Sequence, residues 1–200
     1  MSNFLAIDTS SRYLTVFAQK GKNTVLNYMP DCAMQHSVML MQEIERTLDA
    51  LKLKPEDCDF FAAVTGPGSF TGIRIGIATV KGFALATNKP LKSVTAFELI
   101  AYNVNSEKPF LVAVDAAHNH FYVCGFEGGK IIKNPCYLSF DEVAALSLPV
   151  YGFENLNFDN YTRINPSICL SAAVEKCDTA SEMHALYVRK SQAEENYSGT

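Results

Sequence analysis

A glycine-rich stretch, Val64–Gly82, constrains this chain more than any other part of its sequence. The apolar run Phe60–Val64 leads into a Gly-Pro-Gly corner, and such corners end regular structure. Ser69 or Thr71 can then cap a helix, because either hydroxyl can accept a hydrogen bond from the free amides of a first helical turn. The stretch therefore predicts a strand, a tight corner and a helix.

The helix after the corner would carry two apolar stripes at the spacing of about 100° per residue. The stripes consist of Ile73, Ile77, Val80 and Ala84 on one side, and of Ile75, Thr79, Gly82 and Ala86 on the other. A surface helix usually has one such stripe. We therefore expect this helix to pack between two neighbours.

Gly72 and Gly76 lie between the two stripes. Glycine inside a helix costs roughly 1 kcal/mol relative to alanine, so its repetition calls for a compensating contact. Close approach of another backbone supplies one, either from a second chain or from the same domain. If the neighbour is a second chain, a charged residue at Ile75 or the change Gly76→Leu should abolish the contact and leave the fold largely intact.

The same glycines do not form a known nucleotide loop. Gly66, Gly68 and Gly72 are spaced one residue too far for the dinucleotide fingerprint, and no Gly-Lys-Ser/Thr follows them as in a Walker loop.

Composition excludes several classes of protein. The net charge of −4 and the pI near 5.6 argue against a chain that grips nucleic acid alone, because phosphate binding needs a basic surface. The six cysteines are scattered without a C-x-x-C pair, and no apolar run is long enough to span a bilayer. The first residues lead directly into a strand. We therefore expect a cytoplasmic protein with reduced thiols, no signal peptide and no membrane contact.

Hydrophobic spacing places the remaining elements of the first half. It predicts strands over Phe4–Ile7, Tyr13–Gln19, Thr24–Met29 and Leu91–Val94, and helices over residues 34–53 and after Thr95. The apolar stripe of the first helix would consist of Met34, Val38, Met41, Ile44, Leu48 and Leu51, opposite Gln42, Glu43 and Arg46.

The second half repeats the start of the first. Phe110–Asp115 echoes Phe4–Asp8, and each is followed by a turn, an alternating strand and a Gly-Lys turn. Only residues 141–146 and 180–187 look helical in this half. We therefore predict two related α/β lobes, 1–103 and 104–200, of which the second is reduced.

Two aspartates at strand ends, one per lobe, are typical of the duplicated ribonuclease-H-like fold of actin, Hsp70 and sugar kinases. In such folds the resemblance implies that the paired turns bind the metal and phosphates of ATP. Asp8, Thr9 and Ser10 offer the groups for this, whereas the turn after Asp115 lacks hydroxyls and glycine. We expect a nucleotide-site remnant, and no ATP hydrolysis by this chain alone.

The motifs of this chain resemble those of the TsaB (YeaZ) family. The matching segments are Leu5–Ser10, His36-Ser37, Val64–Gly76, Lys81-Gly82 and the tail Tyr187–Glu194. The resemblance implies a role in making threonylcarbamoyladenosine next to the tRNA anticodon. It also implies a non-catalytic subunit that binds a longer paralogue, TsaD. The small ATPase TsaE joins the same complex, and this chain would contact tRNA only as part of that complex.

The resemblance further implies where contacts and catalytic groups lie. Residues expected to bind the paralogue are Val38, Met41, Glu45, Gly72, Ile75, Gly76 and Thr79, and the same surface would form a homodimer when the partner is missing. The paralogue carries two metal-binding histidines where this chain has Ala96 and Ile100. We therefore expect no catalytic residue, no metal and no intrinsic cofactor, with a nucleotide only at the interface of the complex. Family members often carry Arg where this chain has Ala117, so any contact made through that Arg is in doubt here.

Several alternatives stay open at this point. His118 and His120 could share a metal on one strand face, although surface histidines are the simpler interpretation. His36 could be a base or a local hydrogen-bonding residue, and Asp8 could simply cap its own turn. A free-standing ATPase or kinase of the same fold, or a metallopeptidase, is the rival function.

Overall fold

Apolar residues at a period of two form the strands of this protein, and apolar residues at helical spacing form the helices around them. The computed structural model describes residues 2–177, 179–180 and 182–189. The strands are β1 (Phe4–Asp8), β2 (Leu14–Lys20), β3 (Asn23–Met29), β4 (Phe60–Val64), β5 (Leu91–Val94), β6 (Phe110–Asp115), β7 (His120–Glu127), β8 (Lys130–Ser139), β9 (Val150–Gly152), β10 (Tyr161–Arg163) and β11 (Thr179–Ala180). The helices are α1 (His36–Leu51), α2 (Phe70–Thr87), α3 (Ala96–Ala101), α4 (Phe140–Ala145) and α5 (Cys169–Lys176), with short 3-10 turns at Pro55–Asp57 and Pro166–Ile168.

The strands form two sheets that share one order. The first runs β3-β2-β1-β4-β5, with β11 added beside β5, and the second runs β8-β7-β6-β9-β10. In each sheet the first three strands of this order pair antiparallel. The next two strands run parallel to the third: β4 and β5 are parallel to β1, and β9 and β10 are parallel to β6. This repetition confirms the predicted duplicated ribonuclease-H-like α/β fold. The second copy is the smaller one, because residues 153–160 connect β9 to β10 without the helix that α2 forms between β4 and β5.

Alternation along the central strands divides the interior into layers. Phe4 and Ala6 of β1 face a core shared by the two lobes, whereas Leu5 and Ile7 face the core under α1 and α2. In the second lobe, β6 contributes Val112 to the shared core and its neighbours to a third core under α4. The two lobes are therefore packed on one continuous apolar layer.

The two long helices cover the outer face of the first sheet. On α2, the stripe predicted from the sequence is buried as expected, with Ile73, Ile77, Val80 and Ala84 all in the core. On α1, the predicted stripe is only partly right. Ile44 and Leu48 are buried, but the helix begins at His36, and Val38 and Met41 in its first half are exposed. Glu43, expected on the polar side, is buried.

The C-terminal part differs from the sequence-based expectation. Residues 180–187 were expected to be helical, yet Ala180 belongs to β11 and the described residues after it have no regular secondary structure. The helix of this region is α5, which packs against α3 and the first sheet. Both α5 and β11 therefore lie with the first lobe, although they fall in the range 104–200 that we assign to the second. The division at residue 103 stays a prediction.

No helix among the described residues has the length and apolar character needed to cross a membrane.

Candidate functional site

The first strand ends in a turn that is closed by its own aspartate. Asp8 accepts hydrogen bonds at Oδ1 from the Ser10 amide (2.8 Å) and from the Ser10 hydroxyl (2.7 Å). Asp8, Thr9 and Ser10 are all buried, and burial raises the pKa of the Asp8 carboxyl although both Ser10 bonds lower it. Asp8 therefore caps its own turn, and its role in a nucleotide-site remnant stays a prediction.

The same turn is bound tightly to the start of α2. The Thr9 hydroxyl donates to the Gly72 carbonyl (2.7 Å), and the Ser69 amide donates to the Ser10 carbonyl (2.7 Å). The hydroxyls of Thr9 and Ser10 thus donate to partners within the chain. Both residues were expected to belong to a nucleotide-site remnant, and both are buried with hydroxyls that already donate hydrogen bonds. Their role in such a remnant stays a prediction.

Glycine at two positions of α2 is explained by this contact. A Cβ atom at Gly72 would lie 2.0 Å from the Thr9 carbonyl oxygen, and one at Gly76 would lie 2.5 Å from the Thr9 hydroxyl. The neighbour that needs the glycines is therefore the chain's own turn, the second of the two possibilities that the sequence left open. It follows that Gly76→Leu would disturb the fold, contrary to the expectation that it leaves the fold largely intact.

The second lobe carries a matching turn at the end of β6. Asp115 accepts at Oδ1 from the Ala117 amide (2.9 Å), the same bond that Asp8 makes with residue 10. Asp115 is exposed, and Ala117, His118 and Asn119 have left-handed backbone angles, with φ of 63°, 52° and 59°. The repeat found in the sequence is thus preserved in hydrogen bonding, but the second turn offers no hydroxyl.

A cleft of about 420 Å³ separates the two turns. Its walls are formed by Ser10, Ser11, Arg12, Ala33, Met34, His36, Gly68, Ser69, Val114, Asp115 and Glu154. Among the residues of the nucleotide-site prediction, the structure brings Ser10 and Asp115 to this cleft. The cleft places small hydroxyls on one side and carboxyl groups on the other.

Glu154 is a cleft residue that sequence reasoning missed. Burial raises the pKa of its carboxyl, and the charge of Asp115 raises it further. Its Oε2 atom is buried without a hydrogen-bond partner among the described residues, as is the hydroxyl of Tyr13. Glu154 follows the short strand β9 in an irregular segment, so no periodic pattern in the sequence marked it.

The histidines take local roles. His36 is buried and donates from Nε2 to the Tyr13 carbonyl (3.0 Å), which fits the hydrogen-bonding interpretation rather than that of a base. His120 donates from Nδ1 to the His118 carbonyl (2.8 Å) and stacks on Tyr137 at 4.8 Å between ring centroids. Across the residues described, no group of three or more His, Cys, Asp or Glu side chains could hold a metal ion.

The positions that would hold metal ligands in the paralogue lie on α3. Ala96 and Ile100 are both buried in the core shared by the lobes. The helix is fixed by a capping box, in which Thr95 and Glu98 bond each other's amides. Packing accounts for both residues at these positions.

The residues expected to bind a partner fall into three groups. On α1, Val38 and Met41 are 64% and 54% exposed, and Glu45 is exposed beside them. On α2, Ile75 and Thr79 are half-buried, and Gly72 and Gly76 are buried against Thr9. We call the first two groups together the α1–α2 face.

A groove of about 490 Å³ adjoins this face and shares Met41 and Glu45 with it. Its lining combines Met41, Gln42, Ile44, Glu45, Leu48 and Asp49 of α1, the following segment Leu53–Pro55, and Phe83 of α2. An apolar groove between two helices is the shape that accepts a helix from another chain. That it does so here stays a prediction.

Comparison with known proteins places this chain in a family. The family model for TsaD, tRNA N6-adenosine threonylcarbamoyltransferase, matches residues 28–184. The tRNA threonylcarbamoyladenosine biosynthesis protein TsaB of Bacillus subtilis is 31% identical over 50% of this chain and 43% of its own length. The protein of the same name from Escherichia coli is 31% identical over 59% of this chain and 52% of its own length. The chain thus spans about half the length of these curated relatives.

A solved structure agrees with the fold. YeaZ from Pseudomonas aeruginosa superposes with a TM-score of 0.72 at 21% identity, covering 94% of this chain and 100% of that one. At this identity the likeness establishes the shared fold alone. The tail segment Tyr187–Glu194, which resembles the family, is described only in part, because residues 190–194 lie outside the described residues. Tyr187 contacts Arg74 of α2, and Arg189 contacts Tyr137 of β8. On the match of the family model and of these relatives, the chain belongs to the TsaD tRNA N6-adenosine threonylcarbamoyltransferase family and, within it, to the TsaB (YeaZ) group.

Proposed function

We propose that this chain is a non-catalytic subunit that binds a TsaD-type transferase and supports tRNA threonylcarbamoyladenosine formation. The observation that carries the proposal is the α1–α2 face, where Val38 and Met41 stand largely exposed beside an apolar groove. Apolar side chains gathered around a concave surface are typical of protein interaction sites. Membership in a family named for the transferase supports a partner of that type.

A non-catalytic role is supported by how the candidate catalytic groups are used. The Thr9 and Ser10 hydroxyls bond within the chain, and Ala96 and Ile100 stand where the paralogue would carry metal ligands. The turn at Asp115 offers no hydroxyl to a phosphate. These features favour a scaffold over an enzyme that acts alone.

The proposal includes further partners. A TsaE-type ATPase would join the complex. The chain would contact tRNA only as part of this complex, and any nucleotide would bind at the interface between the subunits. Without the transferase, the same α1–α2 face would pair two copies of this chain, because exposed apolar helix faces favour burial. The cytoplasm is the compartment in which such a complex would work.

Reconstitution tests this proposal directly. The modification of unmodified tRNA is measured with the transferase and the ATPase, in the presence and absence of this chain. We expect product only when the chain is present, and loss of product with Val38→Asp combined with Met41→Asp. Full modification without the chain would refute the role of an obligatory subunit.

One observation favours the rival function, an ATPase that works alone. The cleft between the Asp8 and Asp115 turns has room for a small ligand. Steady-state ATP turnover by the purified chain, lost in Asp8→Ala, would support that rival, and we expect no turnover.

A further inference from the structure

The segment of residues 183–189 contacts both lobes. It begins at a deep anchor: Met183 is fully buried in the core under α1 and α2. Next, the Leu186 amide donates to the Thr65 carbonyl (2.7 Å), and the Leu186 side chain packs against the shared core. This half of the segment is fixed to the first lobe.

The middle of the segment holds the first turn of α2. The Tyr187 ring lies 5.1 Å from the Phe70 ring, and its hydroxyl accepts from Nε of Arg74 (2.9 Å). The Arg74 guanidinium in turn lies 3.7 Å from the centre of the Phe70 ring. Phe70 directly follows Ser69, which lines the cleft, so Tyr187 is tied to one edge of the cleft.

The far end of the segment reaches the second lobe. Arg189 donates from Nη1 to the Tyr137 hydroxyl (3.0 Å), and its guanidinium lies 4.9 Å from the centre of that ring. Tyr137 stacks on His120 with an angle of 7° between the rings. His120 closes the turn that follows Asp115, through bonds with Ala116 and Ala117. Arg189 is thus tied to the opposite edge of the cleft.

The two ends differ in strength. Withdrawing Met183 would leave a cavity in a close-packed core, which is a large cost. The hydrogen bond and the cation–π contact of Arg189 with Tyr137 lie at the surface, where water can partly replace them. Separating Arg189 from Tyr137 would therefore cost less than withdrawing Met183 from its core.

We propose that residues 183–189 form a tie between the lobes, anchored at Met183 and releasable at Arg189, that limits how far the cleft between Ser69 and Asp115 opens. The tie also steadies the first turn of α2. If the proposed function is right, this links the cleft to the helix that contacts the transferase. The tie itself does not depend on that function.

Hydrogen exchange measured by mass spectrometry on the full chain, without any partner, tests the tie. In Arg189→Ala we expect exchange to become about five- to tenfold faster in peptides that cover residues 115–120 and 66–70, because the contacts with Tyr137 are lost. Peptides of α4 should be unchanged. Tyr137→Phe keeps the ring and removes only the hydroxyl, so it should give a smaller change at the same places.

Arg46→Ala is the matched control, since it deletes another exposed arginine on the far side of the first lobe. It should leave both peptides as in the wild type. Unchanged exchange at the turn and the corner in Arg189→Ala would overturn the proposal. So would an equal acceleration throughout the chain, α4 included, because that would indicate general destabilisation instead of a tie.

Discussion

Gly72 marks a very close approach, where α2 crosses the turn after β1. A side chain at this position would meet a backbone carbonyl, which cannot move aside without displacing the turn. We therefore predict that Gly72→Ala destabilises the protein by about 1–3 kcal/mol, the range of overpacking in a close-packed site. Urea unfolding followed by circular dichroism measures the loss.

Gly82 of the same helix provides the control. Nothing lies within 4 Å of a Cβ atom at this position, and the residue is exposed. Gly82→Ala should stabilise the helix by up to about 1 kcal/mol, because alanine has the higher helix propensity. Equal effects of the two substitutions would contradict the packing described for Gly72.

Glu154 should make stability depend on pH. Its carboxyl has a folded-state pKa above the ordinary value of 4.5, because burial disfavours the charge. As pH rises from 4.5 towards the folded pKa, the unfolded chain loses its proton first, so this group's contribution to stability falls. The side chain in Glu154→Gln does not titrate, so this loss is absent. We expect the stability of the variant to increase relative to that of the wild type as pH rises above 4.5.

Thermal unfolding of both proteins across a pH series measures this difference. The gap between the two unfolding temperatures should close below pH 4.5, where Glu154 is protonated in both states. A gap of constant size at every pH would show that the carboxyl does not titrate in the way its burial implies.

At the scale of elements, the start of α2 depends on one hydroxyl. Ser69 accepts from the Gly72 amide (3.2 Å), whereas Thr71 lies in the exposed first turn without capping it. We expect Ser69→Ala to cost about 1 kcal/mol of stability, the usual value of a lost cap. Thr71→Ala should stay within about 0.5 kcal/mol of the wild type. Chemical unfolding compares the two, and the reverse order would contradict the assignment of the cap.

Strongly periodic elements could be predicted from the sequence. The strand Phe60–Val64, the corner and the buried stripe of α2 follow from local spacing and capping, and the structure has them where expected. The capping box at Thr95 is likewise a local signal. Such elements were predictable because their own residues are enough to specify them.

The C-terminal part could not be predicted in this way. Met183, Leu186 and Tyr187 are spaced as on a helix, yet each contacts a different distant segment, and the chain between them forms no regular secondary structure. Periodicity alone did not separate Val38 and Met41 from the buried residues of the same stripe, because it does not show which apolar residues a fold leaves uncovered; the family resemblance is what named them as partner-binding residues. Of the site, the paired aspartate turns were predictable from the repeat, and Glu154 was not.

The whole molecule consists of two copies of one strand arrangement that have diverged in use. The first copy has a buried turn, in which the hydroxyls of Thr9 and Ser10 are hydrogen-bonded, and carries the long helices α1 and α2. The second copy has an exposed turn and lacks the helix between its parallel strands. The shared core between them is what lets a chain of this length bury a continuous apolar layer.

The first copy also leaves a helix face uncovered, and this supports our interpretation of the chain as a subunit. Its exposed apolar residues include Val38 and Met41 of α1, beside the groove that Phe83 of α2 helps to line. A comparable exposed pair, Ile131 and Ile132, lies on the edge strand β8 of the other lobe. The two sites allow the partner surface to be tested against a control of the same character.

The most direct test of the central proposal is the affinity of the chain for the TsaD-type transferase, measured by titration calorimetry. With Val38→Asp and Met41→Asp together, we predict that the dissociation constant rises about a hundredfold, since two buried apolar contacts are each worth roughly 1–2 kcal/mol. Ile131→Asp with Ile132→Asp should leave it within about threefold. Unchanged affinity in the first pair, or a loss confined to the second, would contradict the assignment of the α1–α2 face.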